Sequence, residues 1–181
     1  MATPIRTRKI SHVLLHVSDI ERSVKFYTDI LGFKESDRNQ LGMVFLRNGT
    51  DHHTFGLVPG PADATLAPKD KYLTFHHMAL EVNSVDDLFK AREFLTQHGI
   101  EFVFEGRRGA GCNVSLEFRD PDGYMIELTC EMDQIGWNES ARPHSMHRPA
   151  KSLEEAVASP VQSSVGAPRI HGAPYPGTRI N

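Results

Sequence analysis

Hydrophobic and polar positions run through the same series of periods twice along this chain. Ile10 to Val17 is an apolar, strand-length run that ends at Ser18-Asp19. Helical spacing follows, with Ile20, Val24, Tyr27 and Leu31 on one face, Ser18 or Asp19 as the cap and Gly32 as the stop. Three shorter strand-like segments come next: Phe33 to Asp37, Met43 to Arg47 and His53 to Val58. Arg38-Asn-Gln and Asn48-Gly-Thr-Asp separate them and favour turns. The second half repeats the order. Phe75 to Val82 is a strand, and a helix opened by Asn83-Ser84 carries Val85, Leu88, Ala91, Phe94 and Leu95 as far as His98-Gly99. Strands near Glu101 to Phe104, Asn113 to Phe118 and Tyr124 to Cys130 complete it, the last two joined through Asp120-Pro-Asp-Gly. The pattern predicts an α+β protein made of two fused βαβββ modules.

Laying one half on the other sets His12 on His77 and Val17 on Val82. Period-two alternation puts His12, Leu14 and His16 on one strand face, His77, Ala79 and Glu81 on another, and Met125 with Glu127 on a third. The duplication predicts sheets that curl around their helix-free faces and enclose a shared metal-binding cleft. It divides the chain into an N-terminal extension (1–9), a first module (10–58), a linker (59–74), a second module (75–130) and a Pro/Ser/Ala-rich arm (131–181). Within the arm only Ser152 to Ala158 reads as a short capped helix, and Trp137, Arg142, His144, His147 and Arg148 lie outside the modules.

Composition narrows the function classes. Twenty basic and 23 acidic residues give a net charge of -3, without the basic patch that a nucleic-acid or anionic-membrane surface needs. No run approaches membrane-span length, and Met1 to Lys9 lacks the apolar stretch of a secretory signal. Cys112 and Cys130 have no Cys-x-x-Cys spacing. Reduced thiols in a cytoplasmic protein are expected, with a single disulfide as the alternative.

A lone histidine on an apolar strand is usually a packing or surface residue, but matched placement in both modules singles out His12 and His77. Glu127, between Ile126 and Leu128, is a carboxylate that needs a partner. Two imidazoles and one carboxylate form the set expected of a non-haem Fe(II) site, which keeps coordination positions open.

Over about residues 10 to 130, "SHVLLHVSDIERSVKFYTDILGF" and "RDPDGYMIEL" resemble the opening and closing segments of the vicinal oxygen chelate superfamily, which includes glyoxalases, bleomycin-binding proteins and extradiol dioxygenases. The resemblance implies paired βαβββ modules with metal ligands at His12, His77 and Glu127. "DHHTFGL" is similar to a segment of ring-cleaving members, implying that His53 steers oxygen and transfers a proton. Gly56 stands near the place where glyoxalase-like members carry a fourth, acidic ligand. Glu117 occupies a position often held by tyrosine in ring-cleaving members and is a second catalytic candidate. Arg108, where some relatives place histidine, and Tyr124, beside the turn glycine, are substrate-binding candidates.

The expected function is an Fe(II)-dependent extradiol dioxygenase, with Mn(II) as an alternative metal, that uses O2 to open a catechol-type aromatic diol. Two alternatives stay open: a glyoxalase-like isomerase, epimerase or thiol transferase using the same triad as a Lewis-acid site, and a non-enzymatic aromatic-ligand binder. No nucleic-acid or membrane partner is expected, and a homo-oligomer, such as a dimer, is.

Overall fold

The computed structural model describes residues 9–133 and 141–161. They form two compact units, one running to Phe75 and including Asp120–Tyr124, the other built from His76–Arg119 and the residues from Met125 onward.

In the first unit, β1 (Val13–Val17) leads into α1 (Ile20–Lys25), which widens into a π-helical turn over Phe26–Ile30, followed by β2 (Lys34–Arg38), β3 (Val44–Arg47) and β4 (Phe55–Pro59). Asp19 caps α1 by accepting from the Arg22 N–H at 3.0 Å, an interaction worth about 1 kcal/mol. Gly32, at φ +70°, ends the helical segment in a conformation that glycine adopts without strain. The strand order is β1-β4-β3-β2, with β1 parallel to β4 and the other neighbours antiparallel. One face carries Leu15, Val17, Val44, Leu46, Phe55 and Leu57, all buried, together with Val24 and Tyr27 of the helical segment.

The five-residue turn of this unit is held by its own carboxylates. Asp120 Oδ1 accepts from the Asp122 and Tyr124 N–H groups at 3.0 and 2.8 Å, and Oδ2 accepts from the fully buried Tyr27 hydroxyl at 2.9 Å. Asp122 accepts from the Ser18 N–H and hydroxyl, from Ser23 and from Arg22. The Asp-Pro-Asp-Gly motif is thus an anchoring device at the start of α1.

The second unit has β5 (Met78–Glu81), α2 (Val85–Gln97), β6 (Phe102–Arg107), β7 (Val114–Arg119) and β8 (Met125–Cys130), then a 3-10 turn at His144–Met146 and α3 (Leu153–Ala158). Its sheet order, β5-β8-β7-β6, repeats the first, again with a parallel outer pair. Leu88 and Leu95 of α2 are buried with Val114, Leu116, Phe118, Ile126 and Leu128.

The arm is more tightly attached than its composition suggests. Ser152 caps α3 as expected, accepting from Glu155 N–H at 3.0 Å, and Leu153 and Ala156 are buried. Arg107, 2% exposed, pairs with Ala150 through both backbone hydrogen bonds. Its guanidinium donates to the carbonyls of Ala156, Ser159 and Arg148 at 2.8, 2.8 and 3.1 Å. A cation at the last carbonyls of a helix satisfies acceptors that the helix leaves open. Trp137 and residues 162–181 lie outside the described residues.

The expected curled sheets enclosing a metal-binding cleft are not what forms. Among the described residues each unit has an open four-stranded ladder, edged by β1 and β2 in one and by β5 and β6 in the other, and no strand pairing closes either ladder. Strands of four to six residues are too few and too short for closure. The bulges at Glu35/Asp37 and Phe102/Phe104 bend only the outer hairpins. Strand starts also differ from expectation: β1 begins at Val13 and β5 at Met78, so His12 and His77 each stand one residue ahead of their strand.

Candidate metal centre

The chemistry-bearing side chains of the second unit share the sheet face opposite its apolar core. On β7, Ser115 and Glu117 alternate with Val114, Leu116 and Phe118, and on β8 Glu127 and Thr129 alternate with Ile126 and Leu128. The register places Ala79 beside Glu127, Glu127 opposite Glu117, and Glu117 beside Phe104. Two carboxylates, each 8% exposed, therefore face one another across one rung. Like charges directly opposite are destabilising unless each is compensated.

The compensation differs between the two. Glu117 is clamped by Arg108, whose Nε and Nη2 donate to its two oxygens at 2.8 and 2.9 Å. The guanidinium also stacks on Phe104, 3.8 Å from the ring centroid, and the Glu117 hydrogen bonds push the Arg108 pKa up. Glu127 has weaker partners. Asn113 donates to Oε1 at 2.8 Å, and His77 Nε2 lies 3.2 Å from Oε2. On its other side, His77 Nδ1 is 2.6 Å from His76 Nδ1. One of these two nitrogens must carry the proton. If it is His76, His77 Nε2–H donates to the carboxylate; if it is His77, a neutral ring sets a bare Nε2 beside a carboxylate oxygen, two donor atoms that one cation could share.

In the first unit, His12 lies against His53 with ring centroids 4.6 Å apart. His53 also contacts Phe45 at 4.9 Å, and its Nδ1 is 3.0 Å from that of His52. Burial holds the His53 imidazole below its ordinary range, and charge on His12 or His52 lowers it further. Tyr124 donates its hydroxyl to the His16 carbonyl at 3.0 Å. Burial, then the Asp120 and Asp122 carboxylates, push its pKa above the ordinary phenol value.

Matching the two ladders exposes an asymmetry. The rungs that hold Ala79, Glu127 and Glu117 in one sheet hold Leu14, Gly56 and Phe45 in the other, and Val58 matches Thr129. A Cβ at Gly56 would come within 3.0 Å of Leu14 Cγ. The first module therefore has neither a carboxylate nor ready room for one at the position of Glu127.

The structure thus brings together His77 with Glu127, Arg108 with Glu117, and His12 with His53. Among the described residues it gathers no group of three or more His, Cys, Asp or Glu able to hold a metal ion. The pair in the second unit nevertheless fits one. It offers an imidazole nitrogen and a buried carboxylate oxygen 3.2 Å apart, a mixed donor set that suits first-row divalent metals. Its neighbouring cation, Arg108, is committed to Glu117. Asn113, Thr129 and Phe104 were missed in the sequence. The signal was the polar alternation Asn113-x-Ser115-x-Glu117 against an apolar Val114-x-Leu116-x-Phe118.

The family model described as "Glyoxalase/Bleomycin resistance protein/Dioxygenase superfamily" matches residues 9–128. Metapyrocatechase 2 of Cupriavidus necator is 30% identical over 131 residues, which cover 71% of this chain and 38% of that protein. Lactoylglutathione lyase of Escherichia coli O157:H7 is 32% identical over 139 residues, covering 69% of this chain and 94% of the relative. The chain therefore spans well under half of the metapyrocatechase and nearly all of the lactoylglutathione lyase. Among solved structures, the fosfomycin resistance protein FosX of Listeria monocytogenes superposes with a TM-score of 0.57 at 20% identity, over 72% of this chain and 95% of that one, a likeness of fold alone. The chain belongs to the glyoxalase/bleomycin resistance protein/dioxygenase superfamily.

Proposed function

We propose that this chain is a metal-dependent isomerase of the glyoxalase type, acting on a small substrate with oxygens on neighbouring carbons. The opposed carboxylates carry this reading: Glu127 is paired with an imidazole, and Glu117, one strand away, is paired with a guanidinium. Near-complete coverage of a lactoylglutathione lyase supports it over the ring-cleaving alternative. His77 and Glu127 would hold the metal, with His12 as the third donor that the sequence resemblance implies. When bound, the metal supplies Lewis-acid polarisation of the substrate oxygens.

Glu117 then has the acid-base role. Arg108 fixes its two oxygens in one orientation, and the exposed Arg108 side chain is able to swing aside when Glu117 takes a proton. The proton leaves the hydroxyl-bearing carbon and returns to the neighbouring carbonyl carbon, while the hydroxyl proton passes to the former carbonyl oxygen, so the product is an isomer and no oxidant enters. Asn113 keeps Glu127 from rotating. Formation of lactoylglutathione from a 2-oxoaldehyde and glutathione is the probe reaction. Glu127→Gln is expected to lose the metal. Glu117→Gln is expected to keep it and lose about 10²–10⁴-fold in kcat. Unchanged kcat in Glu117→Gln would refute the role.

A specific observation keeps ring cleavage as the second reading. Gly56 leaves the donor set at three residues, the open arrangement of an oxygenase, and His53 packs on the donor candidate His12. Fe(II)-dependent oxygen uptake with catechols would move this reading to first place.

A further inference from the structure

Glu127 is not held by its strand alone. Asn113 donates one N–H to Glu127 Oε1 at 2.8 Å and the other to Thr129 Oγ1 at 2.7 Å. Thr129 in turn donates its hydroxyl to the Val114 carbonyl at 3.2 Å. Each donor has an acceptor, so the chain of hydrogen bonds leaves Asn113 one amide orientation: a flipped amide would point its oxygen at a carboxylate. The backbone leading to Asn113 is unusual as well. Gly111 and Cys112 both have positive φ, +74° and +52°, and the second is a buried non-glycine residue. Such a conformation costs about 1–3 kcal/mol and persists only where surrounding structure enforces it. Asp133 N–H donates to the Gly111 carbonyl at 2.8 Å and fixes the same corner from the other side. The matching rung of the first module carries Val58 in place of Thr129 and Gly56 in place of Glu127, so the fold builds this ladder without any polar network.

We infer that Asn113, braced by Thr129, is a positioning residue that ties down one oxygen of Glu127 and presents the other beside His77 for a divalent cation. The inference rests on the metal-holding role proposed above for His77 and Glu127. A carboxylate ligand left free to rotate would first have to be ordered by the metal, and that ordering weakens binding; outer partners of metal ligands typically contribute about 10–100-fold in affinity.

The test is a titration of the metal-stripped full chain with Mn(II), reading free Mn(II) by electron paramagnetic resonance, beside the melting temperature of the metal-free protein. Asn113→Ala is expected to weaken Mn(II) binding about 10–100-fold and to leave the metal-free melting temperature near the parent value. Thr129→Val, which keeps the side-chain volume, is expected to weaken binding by less and serves if Asn113→Ala does not fold. If both variants bind Mn(II) like the parent while His77→Ala does not bind, Asn113 has no positioning role and the metal pair stands. A lowered melting temperature with unchanged affinity likewise overturns the inference and leaves Asn113 a stabilising residue only. If parent and His77→Ala bind Mn(II) equally, the metal-holding role itself fails and the inference falls with it.

Discussion

Asp122 shows how much of the Asp-Pro-Asp-Gly motif is architecture. Burial alone would raise its pKa, but the Ser18 hydroxyl and N–H, Arg22 and Ser23 more than offset this and hold the carboxyl below its ordinary range. A carboxyl depressed on folding contributes stability that is present above its unfolded pKa, about 3.9, and is lost as pH falls through the folded value. Asp120 acts with the opposite sign, because burial raises its pKa despite the Tyr27 hydroxyl. Asp122→Asn is therefore expected to cost about 1–3 kcal/mol near neutral pH and to flatten the acid limb of a stability-versus-pH curve. A denaturant series at pH 7 and pH 3 checks both, and an unchanged acid limb would count against the anchoring role. At this scale the sequence was partly legible. Glu127 and His77 stood out because a carboxylate and an imidazole on apolar strands are costly without partners. The Asn113 amide that holds Glu127 did not, since it reaches the carboxylate through loop geometry and cross-strand register that no local pattern encodes.

The elements themselves were largely readable, because period-two and helical spacing, capping residues and stop glycines agreed with one another. Asp19, Ser84 and Ser152 all cap helices where the pattern placed starts. Two features escaped: the widening of α1 into a π turn, which sets Tyr27 toward Asp120, and the docking of α3. The second depends on Arg107, a residue whose charge reads as surface but whose guanidinium is enclosed by helix-terminal carbonyls. Arg107→Ala is expected to destabilise the protein by about 2–4 kcal/mol and to speed tryptic cleavage after Lys151, which Ser152 follows. Gly106→Ala is expected to release the same arm without removing charge. Its Cβ would meet the Ala150 oxygen at 2.2 Å, at a φ of +123°. Limited proteolysis of both variants decides the matter; a cleavage rate equal to the parent's would show that the arm is held elsewhere.

For the whole molecule, duplication was legible and its divergence was not. The two halves share strand order, parallel outer pairs and helix placement, yet only the second ladder kept Glu117, Glu127 and Thr129, where the first has Phe45, Gly56 and Val58. The sheets also stay open where curling was expected, because strand number and length, rather than hydrophobic pattern, limit closure. In the proposed reading the two acidic residues of the second ladder would divide the roles of metal ligand and proton carrier, and the reaction would have no need for oxygen. Its oxygen dependence is the most direct measurement: metal-reconstituted protein assayed for lactoylglutathione formation in sealed anaerobic and air-saturated samples, beside metal-free controls. The expected result is metal-dependent turnover at equal rates in both. Absence of that turnover, with metal-dependent activity appearing only on catechols and only when oxygen is admitted, would contradict the isomerase account.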